Sequence, residues 1–145
     1  MSDATPGPII LAGMHRSGTS FAASVMQQAG VDMGRRLFPA GVGNVKGHFE
    51  DRDFLDFHRD LFLHHGLSEF GWTLRFPLEV PAHLADRARA LIAARTAAHP
   101  NPLTVPPAAS PVLSETRVPP PAGLWGWKDP RTTRFVDVCR DLVPH

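Results

Sequence analysis

Cysteine is nearly absent. Cys139 stands alone, which excludes an intrachain disulfide and any zinc site built from several cysteines. Lysine is almost as scarce: of the 15 basic residues, only Lys46 and Lys128 are lysines, so each of them is conspicuous. No apolar run approaches the roughly 20 residues that span a bilayer. Met1–Pro8 carries neither the basic start nor the apolar stretch of a secretory signal, so a cytoplasmic protein with no membrane partner is expected. A dominant charge sign is missing too, and a net charge of +1 gives no field to steer the chain toward nucleic acid. The eight histidines contain no His-Glu-x-x-His pattern. His58 and His65 would sit about 10.5 Å apart along a helix, too far to share an ion, and no metal is expected.

What is present fits one globular domain over residues 1–145, with 43% hydrophobic and 20% charged residues. Pro8–Gly13 is a short continuous apolar run, the signature of a strand buried inside a parallel sheet. A helix is expected from about Thr19 to Ala29, with Phe21, Ala22, Val25, Met26 and Ala29 on one face and Gly30 as its stop. Residues 31–49 are glycine-rich and aperiodic and read as a long loop. A second helix, Asp51 to His65, places Phe54, Leu55, Phe57, Leu61 and Phe62 inward; a third runs from His83 to Ala98. Between Pro100 and Pro121 eight prolines and no apolar period point to a flexible segment. Gly123–Lys128 is a second strand, and a last helix is expected from about Thr132 to Leu142. This alternation of strand and helix predicts an α/β layered sheet.

Gly13-Met14-His15-Arg16-Ser17-Gly18-Thr19-Ser20 lies between the buried strand and the first helix. Glycines let successive N–H groups turn toward one anion, and the helix N-terminus adds unpaired donors and the positive end of its dipole. Arg16 adds a charge-assisted bond, and Ser17, Thr19 and Ser20 add hydroxyls. The glycine spacing matches the nucleoside-triphosphate loop, but that loop carries lysine where this chain has Thr19. The cation comes earlier, at Arg16, which suits a grip on one terminal phosphate rather than on a magnesium-bound triphosphate.

The segment Met14–Ser20 resembles the 5′-phosphosulfate loop of sulfotransferases, in which a basic residue precedes Ser-Gly-Thr-Thr or Ser-Gly-Thr-Ser. Gly43–Asp51 resembles a stretch in bacterial members of that superfamily. Trp125-Gly126-Trp127-Lys128-Asp129-Pro130-Arg131 resembles the Lys-Asp-Pro strand end of its tyrosine-sulfating branch. The resemblance implies a three-layer, P-loop-like parallel sheet with flanking helices. It implies 3′-phosphoadenosine-5′-phosphosulfate (PAPS) as sulfuryl donor, and a small-molecule or glycan acceptor bearing a hydroxyl or amine. Gly13, Arg16, Ser17, Gly18, Thr19 and Ser20 would hold the donor. Transfer needs a base for the acceptor proton, and Glu50 and His48 are the candidates, Glu50 preferred; Asp51 is assigned to capping its helix. Lys128, at a strand's carboxyl end, would stabilise charge on the departing phosphate.

The family's 3′-phosphate ligands, an arginine and a serine on the next strand, have no match before His145. The sheet is therefore expected to be incomplete at its C-terminal end, with weak donor binding and little turnover. Two other readings stand beside this one: a P-loop kinase-like enzyme and a non-catalytic sulfotransferase fragment.

Overall fold

The computed structural model describes residues 7–42, 44–45, 47–70, 78–99 and 123–143. The proline-rich segment at 100–121 lies outside the described residues, as do Gly43 and Lys46. The described chain is mixed α/β, with four α-helices and a two-stranded parallel sheet: β1 (Ile9–Leu11), α1 (Thr19–Gln28), α2 (Arg52–His64), α3 (Ala82–Ala97), β2 (Gly126–Lys128) and α4 (Val136–Leu142).

The sheet register decides what meets what. Ile9 pairs with Gly126, Ile10 with Trp127 and Leu11 with Lys128, so the two strands end side by side. On the other edge of β2, the Asp32 N–H donates to the Leu124 carbonyl at 3.0 Å and the Gly126 N–H donates to the Asp32 carbonyl at 2.9 Å. β2 is thus flanked on both sides. Gly126 is required there, because a Cβ on it would lie 2.1 Å from the Ile9 carbonyl oxygen.

The core forms where apolar stripes meet. From α2 come Phe54, Phe57, Leu61 and Phe62, from α3 Leu84, Ala88 and Ile92, and from α4 Cys139 and Leu142, all around Trp125 and Trp127. Trp127 stacks on Phe54 with ring centroids 4.2 Å apart. Both tryptophans are core residues, each 1% exposed. The helical period of α2 and α3 therefore reports their buried faces correctly.

Two expectations fail. On α1 the apolar stripe is split: Phe21 is 75% exposed and Val25 47%, while Ala23 is fully buried and Met26 packs against the same cluster. The small Ala23 lets α1 approach the sheet, and Phe21 and Val25 are turned outward. At the C-terminal end the expected continuous helix begins instead as a 3-10 helix, Pro130–Arg134, before α4. The reason is local. Asp129 caps the turn by accepting from the Arg131 N–H at 2.8 Å, and Thr132 and Phe135 make three-residue backbone bonds. Buried Thr132 is then held in place by Trp127 and His58.

Asp51 anchors the stretch between α1 and α2. Its carboxylate accepts from the Asp53 N–H at 3.0 Å, which caps α2, and from the Arg35 N–H at 3.2 Å. Buried Arg95 of α3 approaches it at 3.3 Å. Gly34 allows the close fit, since a Cβ there would lie 2.5 Å from Asp51 Oδ2. The position of Glu50 follows from this anchor one residue away.

Candidate functional site

β1 runs directly into the loop Gly13–Gly18. A Cβ on Gly13 would sit 2.7 Å from Thr19 Cγ2, so glycine is what lets the loop fold back on the helix start. Arg16 (φ 65°) and Gly18 (φ 84°) both adopt left-handed backbone. Alternation of this kind turns neighbouring N–H groups toward one side, as in anion-binding nests. Gly18 precedes the first turn of α1, whose N–H groups have no intrahelical acceptor; no side chain caps them, and that turn carries no acid.

The serines behave differently from expectation. Ser17 Oγ donates to the Met14 carbonyl at 2.6 Å. Ser20 Oγ donates to the His48 carbonyl at 3.2 Å and accepts from Asn44 Nδ2 at 3.0 Å. Both hydroxyls brace the loop. His15, Arg16, Gly18, Thr19 and Ser20, but not Gly13 or Ser17, line a cleft of about 530 Å³, a size ordinary for small-molecule sites.

His48, Glu50 and Lys128 line the same cleft. Lys128 is there because its partner in the sheet, Leu11, is the last residue of β1. Its Nζ donates to Glu50 Oε1 at 2.7 Å and to the His48 carbonyl at 3.2 Å. Arg131 Nη1 lies 3.6 Å from Glu50 Oε2. Phe49, between the two candidate bases, has a left-handed backbone at φ 56°, a strained state for a bulky residue. The structure therefore brings the loop, His48, Glu50 and Lys128 to one cleft.

Beneath the cleft lies a polar network that residue patterns alone did not reveal. Asp129, fully buried, accepts from Arg131 through both the backbone N–H and Nη1, at 2.8 and 3.0 Å. His58, also fully buried, places Nδ1 2.7 Å from the Phe54 carbonyl and 3.3 Å from Asp129 Oδ2. Its Nε2 lies 3.1 Å from Thr132 Oγ1, which accepts from Trp127 Nε1 at the same distance. Burial alone pushes His58 toward the neutral form, but the charge of Asp129 and the contacts with Asp129 and Cys139 prevail, raising it to about 9. Burial likewise disfavours the Asp129 carboxylate, and the charges of His58 and Arg131 overcome it and hold Asp129 below its ordinary value. Arg131 thus pairs with Asp129 in the interior. The overlooked signal was His58 itself, a polar residue on the inward stripe of α2, where burial demands a partner.

A second cavity, of about 280 Å³, shares His15, His48 and Glu50 with the first. Phe38 and Phe70 line it and are themselves anchored: the Phe38 N–H donates to the Glu50 carbonyl, and His15 Nε2 donates to the Phe70 carbonyl at 3.3 Å. Arg59 pairs with Glu69 in the same wall. Among the described residues no group of three or more His, Cys, Asp or Glu side chains could hold a metal ion, and no helix is long and apolar enough to cross a membrane. Comparison of the chain with protein-family models, curated proteins and solved structures finds no match.

Proposed function

We propose that this chain carries the donor-binding and catalytic part of a PAPS-dependent sulfotransferase, and that its parallel strands are the centre of a three-layer, P-loop-like sheet. One observation supports this above the others. The β1–β2 register sets an anion-binding loop beside Lys128, and Lys128 holds Glu50 in the same cleft. The donor set suits a phosphosulfate: Arg16, Lys128 and an uncapped helix start supply positive potential, and Glu50, the one acid lining the cleft among the described residues, is already paired with cations.

In this reading the loop N–H groups, Arg16 and Thr19 hold the 5′-phosphosulfate. An acceptor entering through the smaller cavity meets Glu50, which lines both spaces. Glu50 takes the proton from the acceptor hydroxyl or amine while the acceptor atom bonds to sulfur. The bond from sulfur to the phosphate oxygen breaks, and Lys128 stabilises the charge left on that oxygen. His48 is the second candidate base. Positioning and charge stabilisation carry most of such a transfer, so the preformed cleft is the main requirement.

The test is transfer of labelled sulfate from PAPS to a mixed panel of alcohols, phenols, sugars and amines, run beside a magnesium–ATP binding assay. Donor-dependent labelling that Arg16→Ala abolishes supports the reading. Magnesium-dependent ATP binding without labelling favours a kinase-like enzyme instead.

A further inference from the structure

His58 is a buried, charged side chain that the proposed reaction does not use, and its surroundings indicate what it does. Asp129 Oδ2 is buried and has no hydrogen bond among the described residues, because His58 Nδ1 points its hydrogen at the Phe54 carbonyl. What compensates that oxygen is the imidazolium charge 3.3 Å away. Leaving a buried carboxylate oxygen uncompensated is strongly unfavourable. Arg131, meanwhile, serves two acids, with Nη1 at 3.0 Å from Asp129 Oδ1 and 3.6 Å from Glu50 Oε2. Arg131 Nε also donates to the Glu69 carbonyl at 2.7 Å, which anchors the guanidinium, so loss of the charge on His58 is expected to shift Nη1 from Glu50 toward Asp129.

We infer that His58 is a positioning residue for Glu50: acting through Asp129 and Arg131, it fixes the carboxylate that faces the cleft, although its own ring stays in the core. The role in catalysis rests on the sulfotransferase reading; the coupling itself does not. The contacts run unbroken from His58 to Asp129, Arg131, Glu50 and Lys128. Within this group three cations face two carboxylates, and Lys128 and Glu50 bring one end of it to the cleft wall. Asp129 at the end of β2 and Cys139 on α4 are the titratable groups against the imidazole, and Arg131 stands behind Asp129.

The experiment uses the full chain with 13C-labelled glutamate carboxyls. His58→Gln, which keeps a polar side chain but loses the charge, is expected to move the Glu50 carboxyl signal. Ile92→Val, a packing change in the same core, is expected to leave it in place. In the transfer assay His58→Gln lowers kcat on the order of tenfold with unchanged donor KM, and has no further effect in a Glu50→Gln background. If His58→Gln does not fold, the unsubstituted chain decides: the Glu50 signal must shift in step with the His58 ring signals as that ring loses its proton. A Glu50 signal indifferent to His58, or kcat losses that simply multiply, overturns the inference. Absence of any transfer, with the two signals still coupled, overturns the sulfotransferase reading and leaves the coupling standing.

Discussion

Lys128 and Glu50 stand 78 residues apart in the chain, yet Nζ of one lies 2.7 Å from Oε1 of the other. Two independent anchors produce the contact. The parallel register carries Lys128 to the loop edge, and the Asp51 cap holds its neighbour Glu50 against the start of α2. Glu50→Gln separates the two tasks this acid could perform, since an amide oxygen still accepts from Lys128 but cannot take a proton. Sulfate transfer should fall about 10²–10⁴-fold in kcat while donor affinity changes little. Steady-state kinetics beside calorimetry checks this, and unchanged kcat would move the base to His48.

Gly126 tests the scaffold. A Cβ there meets a backbone carbonyl at 2.1 Å, which cannot rotate aside as a flexible side chain can. Gly126→Ala should destabilise the chain by about 1–3 kcal/mol or more. It should also separate the loop from Lys128, and urea unfolding with donor titration measures both effects.

Asp129 has no solvent to fall back on. Asp129→Asn leaves His58 and Arg131 without their common carboxylate, and loss of one partner from a buried ionic group typically costs about 3–5 kcal/mol. Chemical denaturation should register a loss of that size. A loss under about 1 kcal/mol, the range of exposed pairs, would show that the network contributes little.

The same pair sets a pH dependence. His58 is raised from 6.5 to about 9 in the folded chain, so its stabilisation is complete below about pH 6.5 and is lost as the pH climbs through 9. Asp129 is lowered from 3.8, so its contribution is present above that value and is lost as the pH falls through the lower folded value. Stability should therefore be highest between about pH 4 and 6.5, then decline into the alkaline range by up to about 3 kcal/mol. Denaturant midpoints across about pH 3–10 read this directly, and His58→Gln should flatten the alkaline decline.

Much of this was legible in the sequence, for a physical reason. The apolar periods of α2 and α3 mark real buried faces, and Pro8–Gly13 marks a strand. Asp51 caps α2 as its position before an amphipathic run suggests. The failures come where tertiary contact overrides local pattern. Phe21 and Val25 have helical spacing but face outward, because the sheet accepts the small Ala23 instead. Thr132 extends a plausible helix, yet Asp129, Trp127 and His58 hold it in a tighter turn. At the candidate site, Arg16, Glu50 and Lys128 announce themselves by residue type, whereas the task of His58 depends on partners 71 and 74 residues away in sequence. Such pairings follow from register and packing and have no local signature.

Calorimetric titration of the chain with PAPS, without magnesium, asks whether the Gly13–Ser20 loop grips a phosphosulfate. Saturable binding is expected, weakened about 10- to 100-fold by Arg16→Ala through loss of one charge-assisted contact. No saturable binding of PAPS, or binding that Arg16→Ala leaves unaltered, would contradict it.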